Sequence, residues 1–548
     1  MRPWSVVRAL HTSAAALAAP RRAPPRRAQK HQLDAVRTPS AHTPPPPPRP
    51  APRAADAPRA GELPALEFDT PAAAHDGERA FRATPLSEGL LSMVHALLGR
   101  RARPTRPQSQ ALAHFFDTPR RAGATVVAAE TGSGKTLAYL LPVLQLLHTT
   151  RAAHEHADYA AVAAGAAPRL MPRAVVLAPT HELARQIAEV AKALCHHAEH
   201  KLRVDCTSTR LFDERAARAF AQLEGYAAAA HDVAAPAHHG APLSPDVLVT
   251  TPKRLRELCD TQHRTPVSLA NAQAVVVDEA DTLLDEGFRP DTTAVLDAVR
   301  AARDAEVLFA TATIPRSVTA YLDAAFPTRT TLASPHLHKL PARLTARFVD
   351  PGGSKDMAIL KELFRIFTTP TCADDQVLIF RDRRTSVEQL SRFLRERNVD
   401  HVALTGDADA RADRTDPRLA RFLHRPYATP PPDADAPRVL ITTSVLSRGL
   451  DFGPHLRHVF VPDAGRRGRT SVHNANHNAL ELLHRAGRSA RAGRPGTVVL
   501  FDKSSAPGHS KVLINRRGQK KGVIRGQMDL LVRELKRPRS RARRAHAP

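Results

Sequence analysis

Three short segments carry residue types that belong together in phosphate chemistry. Ala129 and Glu130 lead into Thr131-Gly-Ser-Gly-Lys-Thr136, a glycine-rich turn that ends in a lysine and a hydroxyl. Placed after a strand and opening a helix, such a turn aims backbone N–H groups and a helix N-terminus at phosphates. Thr131, Gly132, Ser133 and Gly134 would wrap them, Lys135 would reach the β- and γ-phosphates, and Thr136 would help hold Mg2+. Asp278 and Glu279 follow directly on the apolar run from Ala274 to Val277. That places two carboxylates at the C-terminal edge of a parallel sheet, where open α/β folds bind ligands. Asp278 would orient the metal through its water shell, and Glu279 would position and deprotonate an attacking water. Arg488 and Arg491 stand three apart on one helical face and can point together at a γ-phosphate. Arginines in that position supply roughly 10³–10⁵ in rate. The three segments in this order describe a nucleoside triphosphatase split between two domains.

The elements that must carry these residues are legible as short apolar runs. Val126 to Ala128, Ala174 to Ala178, Val247 to Thr250, Ala274 to Val277 and Val307 to Ala310 form a first set. Val377 to Phe380, Val402 to Leu404, Val439 to Ile441, Val459 to Val461 and Thr497 to Phe501 form a second. Runs without period-two alternation predict strands buried on both faces, hence parallel sheets with helices on each side. The expectation is two tandem α/β domains, 80–335 and 336–502, joined near Ser334 to Arg343. Segments 150–172, 225–245, 425–437 and 466–478 read as surface insertions without chemistry of their own.

With these residues in place a family resemblance can be stated. Asp278-Glu-Ala-Asp281, continuing to Phe288, resembles motif II of the DEAD-box RNA helicases, and the likeness extends over residues 80–502. It implies two RecA-like domains, ATP and Mg2+ as cofactors, and RNA as the partner, bound with little sequence preference. Pro104-Thr-Arg-Pro-Gln108 resembles the Q motif, in which Gln108 would read adenine's edge; Phe81, 27 residues upstream, would stack on the base. Asp451 would meet the ribose. Pro179, Thr180, His181, Thr251, Pro252, Arg254, Arg381, Gly406 and Thr443 fall at positions that bind RNA in relatives. Asp281, Thr311, Thr313 and His484 fall where nucleotide state is coupled to strand separation. Departures are visible: Ala129 for Gly, Pro107 for Ile, His181 for Arg, Lys253 for Gly, and Ser444 for Asp. The expected Gly-Gly after Val204 is replaced by Cys206-Thr-Ser-Thr-Arg210. Ser444 puts one interdomain contact in question.

Length and charge bound the rest. At 548 residues the chain exceeds one core. Of its formal net charge of +26, residues 1–61 carry +9 and residues 503–548 carry +12, so the 441 residues between hold only +5. The ends are basic arms suited to polyanions. Residues 1–33 hold seven basic residues and no acid, the composition of a mitochondrial presequence. Residues 34–79 read as a Pro-rich disordered spacer and 503–548 as a disordered basic extension. No apolar run approaches the ~18–20 residues that span a bilayer. Cys195, Cys206, Cys259 and Cys372 show no paired spacing for zinc or a disulfide framework, which suits a reducing compartment. With these basic ends the chain most resembles fungal mitochondrial members of the family, and the resemblance implies a monomeric helicase of the mitochondrial matrix that acts on ribosomal RNA in large-subunit assembly particles. Two alternatives remain at this level: an ATP-gated RNA clamp or chaperone with low turnover, and a nucleolar ribosome-biogenesis helicase.

Overall fold

The computed structural model describes residues 81, 84–117, 123–154, 156–197, 201–230, 243–260, 262–302, 304–334, 337, 343–372, 374–404, 417–422, 437–444, 452–463, 481–482, 484–490 and 494–501. The expected presequence, spacer and C-terminal extension lie outside these residues, as does the loop 466–478. All described residues belong to the compact unit Glu67–Pro548.

The first sheet uses β1 (Ala124–Ala128), β2 (Ala174–Leu177), β3 (Val204–Cys206), β4 (Val247–Thr250), β5 (Ala274–Asp278), β6 (Glu306–Thr311) and β7 (Thr330–Ala333). Their order is β3-β4-β2-β5-β6-β1-β7 and every pairing is parallel. Helices α1 (Glu88–Leu98), α2 (Arg106–Asp117), α3 (Lys135–Thr149), α4 (Arg151–His154), α5 (Ala157–Ala163), α6 (His181–Leu194), α7 (Arg210–Ala230), α8 (Pro252–Cys259), α9 (Ala280–Leu283), α10 (Arg289–Ala302) and α11 (Arg316–Ala325) intervene. Alternate side chains of each central strand enter different cores. Ala174, Val176 and Val249 pack with α3 and α6, whereas Val175, Leu177 and Leu248 pack with α8 and α10. Burial on both faces explains why these strands read as unbroken apolar runs, each fully buried side chain being worth about 1.5–3 kcal/mol.

A second parallel sheet, ordered β10-β11-β9-β12-β13-β8, repeats the plan with β8 (Leu344–Val349), β9 (Gln376–Phe380), β10 (Val402–Ala403), β11 (Val439–Thr442), β12 (Leu456–Val461) and β13 (Gly496–Phe501). Helices α12 (Lys355–Thr368) and α13 (Arg384–Arg395) cover it. Val377, Ile379 and Ile441 face one core, and Leu378, Phe380 and Leu440 face the other. The three strands that apolar runs did not reveal are β3, β7 and β8. The first has only three residues, and the other two are edge strands with partly exposed residues.

One expected surface insertion is a docked element instead. In 150–172, the buried Asp158 of α5 accepts hydrogen bonds from the Ser244 N–H and hydroxyl at 3.0 and 2.8 Å. Tyr159 meets Tyr226 of α7 edge-on at 5.1 Å.

Candidate active site

The glycine-rich turn leaves β1 at Ala128 and becomes α3 at Lys135, so its N–H groups lie at the C-terminal edge of the sheet. Gly134 sits at φ +86° and Gly132 at φ +82°, a region that glycine enters without steric cost. Gly134 is constrained twice over, because a Cβ there would lie 2.3 Å from Gln108 Nε2. Gln108 straps the turn from α2: its Nε2 donates to the Gly134 carbonyl at 3.1 Å, and its Oε1 accepts the Thr105 N–H at 2.9 Å. The Thr105 hydroxyl donates to the Ser133 carbonyl at 2.7 Å. Lys135 folds onto the loop, donating to the carbonyls of Ala129 and Glu130 at 2.9 and 3.2 Å. Burial lowers its pKa, against the opposing pull of Glu279, Asp278 and Asp281.

Asp278 ends β5, and Glu279 turns the chain with a left-handed φ of +50°. A non-glycine residue held there costs about 1–3 kcal/mol, strain that clusters at functional sites. Asp278 Oδ1 accepts the Glu279 N–H at 2.9 Å, and its Oδ2 accepts the Tyr139 hydroxyl at 3.0 Å. Burial, and then the Glu279 charge, push the Asp278 pKa up to about 7. Glu279 is 5% exposed, and its Oε2 has no hydrogen-bond partner among the described residues. Two adjacent buried carboxylates with the Thr136 hydroxyl nearby on α3 make a hard, all-oxygen donor set. That set fits Mg2+. Tyr139 and Thr105 were missed by motif reading. A usable signal existed for the tyrosine, since a hydroxyl inside the apolar stretch Leu137 to Leu147 must find a buried partner.

The second sheet brings His484, Arg485 and Arg488, all under 7% exposed. His484 Nε2 lies 3.1 Å from Asp281 Oδ2 and 3.3 Å from the Thr313 hydroxyl, which itself donates to Asp281 Oδ2. Thr311 donates to the Thr313 carbonyl at 2.6 Å. The four residues assigned to coupling therefore form one chain of contacts. Arg488 is close enough for its charge to act on Lys135. Arg485 is held by Ser444 at 2.6 Å, Asp382 at 2.8 Å and Glu481 at 2.7 Å. Ser444 thus serves a contact within the second half, where its departure had put an interdomain one in question. Arg491 and Asp451 lie outside the described residues.

Along the first sheet's edge, Thr180 caps α6 by accepting the Leu183 N–H at 3.2 Å. His181 Nδ1 is 2.7 Å from the Ser208 hydroxyl, and the Thr207 and Thr250 hydroxyls pair at 2.8 Å. The Thr-Ser-Thr tract that replaces Gly-Gly therefore lines the same edge as Thr180 and Thr251. Pro179 and Pro252 are buried, Pro252 as the first residue of α8. Arg254 is ion-paired with Asp213 at 2.9 Å and Glu257 at 3.4 Å. Thr443 is half-buried at the end of β11.

Two of the expected contact residues are enclosed. Phe81 is 0% exposed and packs in the core with Leu86 and Leu90. Arg381 is enclosed as well. It is 6% exposed and locked between Asp356 at 2.8 Å and Asp463 at 3.1 Å. Gly406 lies outside the described residues.

Residues 105–321 match the family model described as DEAD/DEAH box helicase, and residues 357–493 match the helicase conserved C-terminal domain. The mitochondrial ATP-dependent RNA helicase MRH4 of Cryptococcus neoformans is 30% identical over 497 residues, covering 77% of this chain and 82% of the relative. MRH4 of Debaryomyces hansenii is 30% identical over 416 residues, covering 69% and 65%. Among solved structures, DEAD-box helicase Mss116 bound to ssRNA and UDP-BeF superposes with a TM-score of 0.56 at 19% identity, covering 77% of this chain and 74% of that one. A variant of Dbp5 from S. cerevisiae bound to RNA and ADP BeF3 gives 0.55 at 21% identity, covering 83% and 93%. At those identities the solved structures speak for the fold.

Proposed function

Because the chain belongs to the DEAD-box family of ATP-dependent RNA helicases, we propose that the edge-facing cluster hydrolyses ATP to drive RNA remodelling in mitochondria, in assembly of the large ribosomal subunit. The observation that carries the chemistry is the buried Glu279 Oε2, without a hydrogen-bond partner among the described residues, beside Asp278 and Lys135 in a site completed by His484 and Arg488 from the second sheet. Lys135 would exchange the Ala129 and Glu130 carbonyls for phosphate oxygens. Glu279 would take the proton of the attacking water, and Arg488, with Arg491, would neutralise charge on the transferring group. Mg2+, held by Asp278 and Thr136 largely through water, would supply charge neutralisation at the phosphates. Gln108 keeps one N–H and one lone pair for adenine while it straps the turn. Hydroxyl and backbone donors at Thr180, Thr251 and Thr443 suit phosphate and ribose more than base edges, which favours RNA binding with little sequence preference.

The compartment rests on the basic, acid-free residues 1–33 and on relatives named as mitochondrial helicases; the ribosomal target rests on the family resemblance and the basic C-terminal arm alone. The test is RNA-stimulated ATP hydrolysis by the full chain, with Lys135→Ala and Glu279→Gln as controls. Stimulated turnover that both substitutions abolish is the expected result, and turnover that survives them would sink the assignment. A reporter fused to residues 1–40 should enter mitochondria, and crosslinked RNA recovered from cells should be ribosomal.

A further inference from the structure

A second cluster of ligating side chains stands at the N-terminal ends of β9 and β12, the sheet edge opposite to Arg381 and Thr443. Cys372 closes the short turn Pro370–Cys372, and Asp375 immediately precedes β9, its N–H donating to the Cys372 carbonyl at 3.1 Å. The tight turn brings Cys and Asp, three apart, to one side. His458 arrives from the neighbouring β12, in register with Val377. One donor atom from each of the three lies within 4.8 Å of the others. Asp375 is 7% and His458 8% exposed, while Cys372 is half-buried. His458 Nε2 is 2.9 Å from Asp375 Oδ2, and its buried Nδ1 has no hydrogen-bond partner among the described residues.

We propose that Cys372, Asp375 and His458 bind one zinc-like transition-metal ion, with a fourth position open to water. The mixed S, O and N donor set suits Zn2+ and disfavours Mg2+ or Ca2+. Ligand atoms in tetrahedral zinc sites stand ~3.5 Å apart, a spacing that donor atoms already within 4.8 Å of one another reach by small side-chain shifts. Nearby cations oppose any dication: Arg457 lies 3.4 Å from Asp375 Oδ1, Arg438 stacks on Phe367 and feels Asp374, Asp375 and Cys372, and Arg365 acts on His458. Bound as the thiolate, with its proton released to solvent, Cys372 would balance the ion's charge together with the Asp375 carboxylate. The ion would clip the turn before β9 to β12, independently of ATP.

Cysteine spacing could not reveal this site, because two of its ligands are not cysteines. The test is titration of the metal-free full chain with Co2+, followed by Zn2+. One Co2+ per chain with a thiolate charge-transfer band, displaced by Zn2+, unaffected by millimolar Mg2+ and lost in Cys372→Ser, is expected. ATP hydrolysis by Cys372→Ser should be unchanged. Zn2+ should also slow alkylation of Cys372 in the unaltered protein at least tenfold, a readout that needs no variant. No charge-transfer band, a band that survives Cys372→Ser, or alkylation indifferent to Zn2+ would each overturn the proposal.

Discussion

The Tyr139 hydroxyl reaches Asp278 from inside an otherwise apolar helix, and no other described side chain donates a hydrogen bond to that carboxylate. Tyr139→Phe keeps the ring and its packing while removing the donor to Asp278, which by the proposed function would hold the metal. The Mg2+ concentration needed for half-maximal binding of a fluorescent nucleotide should rise several-fold, with the melting temperature changed by only a few degrees. An unchanged Mg2+ requirement would mean that the hydroxyl merely satisfies the core. Gly134→Ala meets both a left-handed φ and Gln108 Nε2 at 2.3 Å. It should abolish nucleotide binding, measured by calorimetry, while the far-ultraviolet circular dichroism stays that of the folded chain. Lys135, Asp278 and Glu279 were legible from type and spacing alone. Tyr139 and Thr105 were not, since their roles come from contacts between a helix or loop and the phosphate turn.

At the level of elements, Arg381 shows how motif position and environment diverge. At the C-terminal end of β9 its guanidinium holds Asp463 after β12 and Asp356 on α12, so it ties strands and helix together. Burial alone would raise the Asp463 pKa, but the charges of Arg381 and Lys355 and the Asp382 N–H hold it below the usual carboxylate range. A depressed carboxylate pKa stabilises the fold fully above its unfolded value, and that stability is lost as pH falls through the folded value. The contribution is therefore complete above pH 3.8, the ordinary value, and fades below it. Asp463→Asn should cost about 3 kcal/mol at neutral pH, as removing one partner of a buried pair does. It should also flatten the acid limb of the stability profile, and a parallel profile in urea denaturation would contradict the assignment. The central strands were readable because both faces are buried. The edge strands β7 and β8 were not, since one-sided exposure breaks the apolar run.

Across the whole molecule, side chains carried by the two sheets come into contact at Asp281, Thr313 and His484. His484→Ala should leave nucleotide affinity within about twofold and reduce RNA-stimulated turnover about 5–150-fold, the range of typical coupling energies. Equal losses in RNA-free and RNA-stimulated turnover would instead place His484 in the chemistry itself. The sequence alone determined the order of the phosphate turn, the acidic pair and the arginine helix, and with it the fold, because these depend on local periodicity and on residue types that chemistry restricts. Only the tertiary structure decided which side chains are free to act. It buried Phe81, spent Arg381 on ion pairs, gave Ser444 to Arg485 and brought Cys372 to Asp375 and His458. Those outcomes depend on distances between residues far apart in the chain, which no local pattern encodes.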